Sequence, residues 1–273
     1  MPSLIWNKSR WDGLYQWDQK GDEWSATWGG ADMQWYGTIL PRIHDYLTNT
    51  YTGNIGTSTI LEIAPGFGRW TKYLKNMCQK LIIVDLSQEC IEACQERFVD
   101  STNIEFHVND GKLLDMISDN SIDFVFSMDS LVHCEIEVLD SYLEQLSSKL
   151  KPDGVGFFHH SNLGQYIDSK GEPIGNKEDW DRLYSRPLNN RGRTVSAEIV
   201  KKVGEKYNLS FLSQELIDWA KSECPVDCIS VFAKSDSSWH VHNSYEKLIN
   251  TDFMAEARKL QEISRLYKKT KAQ

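Results

Sequence analysis

Between Ser58 and His159 the chain passes through five short apolar, β-branched runs: Ser58–Ile63, Lys80–Val84, Ile104–Val108, Ile122–Ser127 and Val155–His159. Segments of helical character separate several of them, at Trp70–Asn76, Ser87–Phe98 and Val138–Leu150. Strands alternating with helices in this rhythm build a mostly parallel sheet, because each return crossover lays a helix over one face. No other feature of the sequence narrows the fold so far. The expectation is an α/β chain with helices on both faces of its sheet. Ser87 reads as an N-cap with Cys90 at the third helical position, and Pro152-Asp153-Gly154 reads as a turn.

The flanks are less regular. Residues Trp6–Tyr36 hold six of the ten tryptophans and predict an aromatic-rich cap, residues 1–50, that ends in a helix over Met33–Thr48. The core domain is expected over 51–240. Within it, 162–194 is long for a plain connection and predicts a lid or insertion. A helix at Ser196–Tyr207 follows, then strands at Ser210–Leu216 and Cys228–Ala233, close enough in sequence to form an antiparallel pair that ends the sheet. A polar helix over Tyr245–Tyr267 is expected within the closing segment 241–273.

A net charge of −9 and a pI near 5.3 argue against nucleic acid as a partner, since phosphate neutralisation needs a basic face. No apolar run reaches the ~20 residues that span a bilayer, and the N-terminus lacks the layout of a secretory signal. These features predict a cytoplasmic enzyme. The six cysteines are too sparse for a disulfide framework. Cys90/Cys94 and Cys224/Cys228 lack zinc-ligand spacing and read as buried thiols, so no metal is expected.

The stretch LEIAPGFGRW, Leu61–Trp70, carries the chemistry. A strand that runs through a glycine turn into a helix offers free N–H groups and a positive helix end to a ligand. Gly66 and Gly68 suit such a turn, but a dinucleotide G-x-G-x-x-G starting at position 64 would need glycine at 69, where Arg69 stands. Pro65 disfavours α conformation at Ala64, which predicts an extended Ala64 with negative φ.

Glu62-Ile63-Ala64-Pro65-Gly66-Phe67-Gly68 resembles the first motif of class I S-adenosylmethionine-dependent methyltransferases, with Ala64 replacing the first glycine. The resemblance continues in order through Asp85 (LIIVDLS), Asp110-Gly111 (VNDG) and Ser127–His133 (SMDSLVH). It implies a Rossmann-like class I methyltransferase fold with a seven-stranded, mostly parallel sheet and an antiparallel last strand. The cofactor implied is S-adenosylmethionine, with S-adenosylhomocysteine as product. The implied cofactor residues are Glu62, Ala64, Gly66, Gly68, Arg69, Asp85, Leu86, Asp110, Gly111 and Met128, with Asp85 on the ribose hydroxyls and Asp110 near the adenine. Trp24, Trp28 and Trp35 are candidate aromatic covers, Trp28 foremost.

Methyl transfer requires an acceptor lone pair in line with the methyl carbon, and a hydroxyl acceptor must also lose a proton. His133, after the fourth strand, and His159 or His160, ending the fifth, stand at the sheet edge where such ligands bind. They are the candidate bases, with Asp129 as a candidate to orient His133; a divalent metal on Asp129 is the minority alternative, since no second carboxylate ligand is evident. WGGADMQWYGTILPRI ahead of the first motif and HHSN after the fifth strand are similar to bacterial methyltransferases of sugar, polysaccharide and natural-product pathways. That implies a hydroxyl on a small molecule or sugar. An amine or a natural-product peptide is the alternative, because the acidic, tryptophan-rich front also suits a cationic acceptor. A nicotinamide enzyme is disfavoured by Arg69 and by the lack of a Tyr-x-x-x-Lys pair, and a non-catalytic cofactor-binding module is the remaining reading.

Overall fold

The computed structural model describes residues 2–47, 58–168, 170, 172, 174, 190–219, 224–242 and 244–267. The N-terminal cap is a series of short helical pieces: α1 (Leu4–Ser9), a π turn at Arg10–Leu14, a 3-10 stretch at Gln19–Trp28, α2 (Ala31–Gln34), a second π turn at Trp35–Ile39 and α3 (Leu40–Leu47). One continuous helix was the expectation over Met33–Thr48. Trp35, Ile39, Ile43 and Leu47 are all buried and recur every four residues, slightly longer than the 3.6-residue helical period. The wide turn at Trp35–Ile39 helps keep all four on one face.

The strands are β1 (Thr59–Ile63), β2 (Lys80–Asp85), β3 (Ile104–Val108), β4 (Ile122–Ser127), β5 (Leu150–Ser161), β6 (Leu209–Ile217), β7 (Asp227–Lys234) and β8 (Glu246–Asn250). The helices after the cap are α4 (Thr71–Leu74), α5 (Gln88–Arg97), α6 (Ile136–Lys149), α7 (Ala197–Lys206), α8 (Trp239–His242) and α9 (Phe253–Arg265). Sheet order is β3-β2-β1-β4-β5-β7-β6-β8. All neighbours are parallel except β7, which runs antiparallel to β5 and β6. Ser87 caps α5 as expected, its hydroxyl accepting from the Cys90 N–H at 3.2 Å.

Two local readings change. The edge gains an eighth strand from the segment read as a single helix over Tyr245–Tyr267. β8 pairs parallel with β6, and Asn250 and Asp252 break the chain before α9, with the Asp252 N–H donating to Asn250 Oδ1 at 2.8 Å. The Pro152–Gly154 turn lies inside β5 as a bulge: Ile122 pairs with Leu150 but Phe124 pairs with Val155, so the extra residues are absorbed in the ladder.

Each central strand is buried on both faces. Ile60, Leu81, Ile83, Phe124, Phe126 and Phe157 pack on one side with the cap helices, α4, α5 and α9. Leu61, Ile82, Val84, Val125 and Phe158 pack on the other with α6 and α7. Successive strand residues alternate faces, so His159 falls on the cap side and His160 on the α7 side. Among the described residues, no helix is long and apolar enough to cross a membrane. The middle of the expected lid, residues 175–189, lies outside the described residues.

Candidate active site

Strand order reverses at β1, which has β2 on one side and β4 on the other. Crevices form at the carboxyl ends of strands at such a point. A cavity of about 470 Å³ occupies it, floored by Ile63–Phe67, Asp85-Leu86 and Met128–Cys134 and roofed by cap residues from Leu4 to Trp28. That volume suits a small-molecule ligand.

The turn after β1 is held from several directions. Ala64 has φ +58°, which corrects the expectation of an extended residue with negative φ. The Ala64 N–H donates to the Val84 carbonyl at 2.7 Å and the Ala64 carbonyl accepts from the Ser130 hydroxyl at 2.7 Å. These tertiary hydrogen bonds hold a conformation that local preference opposes. Gly66 lies on the cavity wall at φ +57°, and a Cβ there would meet the Trp17 ring at 2.8 Å. Gly68 is not part of the wall. A Cβ at Gly68 would strike Phe98 at 2.5 Å, so that glycine admits close packing of the turn on α5.

Asp85 is buried on the wall, accepting from the Gly66 N–H at 3.2 Å and the Ser87 N–H at 2.9 Å. Burial pushes its carboxyl up to about 6, against the pull of those backbone donors. Leu86, Gly111, Met128 and Trp28 line the cavity as well. Glu62 stands behind the turn, accepting from the Thr71 hydroxyl at 2.6 Å, and burial pushes it up to about 8. Asp110 caps its own loop instead of reaching the wall, with Oδ1 accepting from Lys112 N–H at 2.9 Å and Leu113 N–H at 2.8 Å. Trp35 also lies off the wall, stacked on Tyr73 at 4.6 Å.

Arg69 is a lining residue whose guanidinium pairs with Asp129 Oδ2 at 2.5 Å and donates to Ser25 Oγ at 3.3 Å. The turn is thereby tied to the exit of β4 and to the cap. Asp129 has φ +63° and also faces His159, Oδ1 to Nδ1 3.1 Å. Burial opposes its charge, but Arg69 and His159 prevail and hold the carboxyl well below its usual range. Asp129 therefore engages His159, not His133 as the sequence suggested.

The three histidines separate by face. His160 is fully buried between Ser161 O and Ser230 Oγ, each 2.8 Å away, and burial pushes it down to about 4. It belongs to the core. His159 is also fully buried and off the cavity wall, between Asp129 and Asp227 Oδ2, the latter 3.6 Å from Nε2. Burial disfavours its charge, yet the flanking carboxylates outweigh burial and raise its pKa. His133 lines the cavity. Its Nδ1 lies 2.7 Å from the Asn190 carbonyl, so Nδ1 carries the proton of the neutral ring and Nε2 carries the lone pair. Burial, aided by Arg191, pushes His133 down to about 4.

Among the described residues, four cavity-lining side chains hold buried polar atoms without a partner: Arg10 Nε, Trp17 Nε1, Glu23 Oε2 and Trp70 Nε1. Such atoms are costly unless a ligand satisfies them, and a ligand offering both donors and acceptors fits. The amino acid end of S-adenosylmethionine has that character, with Asp85 able to accept from a diol. Among the described residues, no group of three or more His, Cys, Asp or Glu is placed to hold a metal.

A family model described as a methyltransferase domain matches residues 60–154. This chain carries a class I methyltransferase domain. A solved S-adenosylmethionine-dependent methyltransferase from Mesorhizobium loti superposes on the fold at a TM-score of 0.54 and 14% identity, covering 75% of this chain and all (100%) of the other. Phosphoethanolamine N-methyltransferase 1 of Triticum aestivum is 32% identical over 114 residues, 41% of this chain and 23% of that protein. Its Arabidopsis thaliana namesake is 27% identical over 129 residues, 47% of this chain and 26% of that protein. The matches thus span about a quarter of the length of these curated relatives.

Sequence reasoning missed several residues around the methyltransferase domain's cavity. Arg10, Trp11, Trp17 and Glu23 reach it through the irregular cap, and Arg191 and Trp219 reach it from distant loops. None has a motif; the density of tryptophans was the one available signal.

Proposed function

We propose that the whole chain is a methyltransferase that moves the methyl group of S-adenosylmethionine to a hydroxyl of a small molecule or sugar enclosed beneath the aromatic cap. The observation that carries this reading is His133, neutral, with Nδ1 committed to the Asn190 carbonyl and its ring on the cavity wall.

The bound cofactor supplies an electrophilic methyl on a sulfonium. Ala64, Gly66, Asp85, Leu86, Gly111 and Met128 are the wall residues that would hold it. Trp11, Trp17 and Trp24 exclude water from above and hold the acceptor in line. His133 accepts the hydroxyl proton at Nε2 as the oxygen attacks. Arg69 and Asp129 keep the turn and the β4 exit in register.

A second reading has its own support. Glu23 lines the cavity with Trp11, Trp17 and Trp24; its Oε1 accepts from the Tyr15 hydroxyl at 3.4 Å, while its buried Oε2 has no partner among the described residues, a combination of carboxylate and aromatic faces that suits a cationic amine. The two curated relatives are named for N-methylation of phosphoethanolamine. An amine delivered neutral needs no strong base, so the readings part at His133.

Labelled methyl transfer to hydroxyl acceptors and to amines, phosphoethanolamine included, is the test, run with the wild type and His133→Ala. Methylated hydroxyls whose formation collapses in the variant support the first reading. Methylated amines with turnover indifferent to His133 would overturn it in favour of the second. Titration with S-adenosylhomocysteine and with NAD checks the cofactor independently, and binding of NAD alone would sink both.

A further inference from the structure

Asp227 is the first residue of β7, fully buried and opposite Ser161 at the end of β5. Its carboxylate accepts two hydrogen bonds from Arg191, Nε to Oδ1 and Nη2 to Oδ2, both at 2.8 Å. The Trp219 Nε1–H donates a third at 2.6 Å. Burial opposes charge on Asp227, but Arg191 and His159 outweigh it and hold the carboxyl well below its usual range. A bidentate guanidinium–carboxylate pair fixes orientation as well as distance.

The peptide carbonyl just before Arg191 is the one bonded to His133 Nδ1. The segment beyond it is pinned to the loop that bears His133. The Gly192 N–H donates to the Val132 carbonyl at 2.9 Å, and the Ser161 hydroxyl donates to the Gly192 carbonyl at 2.7 Å. Glu135 Oε2 accepts from the Arg193 and Thr194 N–H groups at 2.9 and 2.8 Å. Among the described residues, the His133 ring has no hydrogen-bond partner besides Asn190; the Asn7 amide bonds its backbone carbonyl, and Trp11 packs on the ring at 5.3 Å.

We propose that Asp227 is a positioning residue for His133. Through Arg191 it holds the Asn190 carbonyl against Nδ1, and the imidazole stays in the tautomer that leaves Nε2 to accept a proton. A neutral imidazole has one donor and one acceptor nitrogen, and the partner of one assigns the other. The inference rests on the reading of His133 as the base.

The test compares wild type, Asp227→Asn, Arg191→Lys, His133→Gln and the double variant D227N/H133Q. Histidine-labelled protein is read by two-bond nitrogen–proton correlation, with the His133 signals assigned by their loss in H133Q. Wild type should show a single Nδ1–H tautomer at His133. D227N should show a mixture of tautomers, with turnover lower by about tenfold or more and unchanged affinity for S-adenosylhomocysteine. R191K keeps the charge but not the bidentate grip; it should show the same mixture of tautomers and the same loss of turnover, and it carries the test if D227N does not fold. D227N/H133Q should be no slower than H133Q, because residues acting through one another are not additive. An unchanged tautomer in a folded variant, or losses that multiply, would overturn the proposal. If H133Q keeps wild-type turnover, the base reading falls, and the tautomer spectrum still decides whether Asp227 positions the ring.

Discussion

The Ser130 hydroxyl donates to the Ala64 carbonyl at 2.7 Å, which joins the exit of β4 to the turn that leaves β1. Ala64 holds φ +58° there, directly before Pro65. A non-glycine residue in the left-handed region is strained by about 1–2 kcal/mol, and glycine at the same place removes that strain while adding about 0.4–1 kcal/mol of unfolded-state entropy. Ala64→Gly is therefore expected to leave the protein equally stable or more stable, by up to about 1.6 kcal/mol. Urea unfolding of both proteins measures this, and a clear loss of stability would contradict the strain account.

Gly66 and Gly68 are two residues apart and serve different neighbours. Gly66→Ala sets a methyl against Trp17 on the cavity wall. It should weaken S-adenosylhomocysteine binding about tenfold or more, for which a loss of 1.4 kcal/mol suffices. Gly68→Ala sets a methyl into Phe98 beneath the turn and should destabilise the fold by about 1–3 kcal/mol. Calorimetric titration and thermal unfolding of both variants separate the effects; equal outcomes would refute the division of labour.

His133→Gln should lower transfer to a hydroxyl acceptor by about 10²–10⁴-fold while cofactor affinity stays unchanged. The pH profile has a signature. Because burial pushes His133 down to about 4 from 6.5, its neutral form persists well below neutrality and protonates only as pH falls through about 4. The acid limb contributed by this group in kcat/KM should therefore lie near 4, and a limb at 6.5 would argue against His133 as the base.

Glu62 offers a stability test away from the chemistry. Its folded pKa is raised by burial to about 8 from 4.5, so the folded state retains a proton that the unfolded chain releases. That contribution is complete below 4.5, declines as pH rises, and is lost once pH passes about 8. Glu62→Gln mimics the protonated acid and should match the wild type in acid but exceed it at alkaline pH. Urea midpoints at both ends check this; equal midpoints at high pH would mean that Glu62 ionises in the fold without penalty and that burial does not raise its pKa.

Much of this protein was legible before the structure. The apolar runs at 58–63, 80–84, 104–108 and 122–127 and the Ser87 cap are local signals, set by residue type and period, and they appear in place. Gly66, Asp85, Gly111 and Met128 sit where a strand ends at the sheet edge, and strand order alone carries them to the cavity. The left-handed Ala64 was not legible, because local preference forbids what the Val84 and Ser130 hydrogen bonds enforce.

What the sequence determined by itself was the rhythm of the sheet and the glycine turn, since both depend on contacts near in the chain. Tertiary structure alone decided the roles of the histidines. His159 and His160 are neighbours on one strand, yet the pleat sends one to the Asp129–Asp227 pair and the other to Ser230. His133 takes its tautomer from a carbonyl 57 residues away, fixed in turn by a carboxylate 36 residues beyond Arg191. Proton positions and pKa values follow from burial and neighbouring charge, and those exist only once the chain has closed on itself.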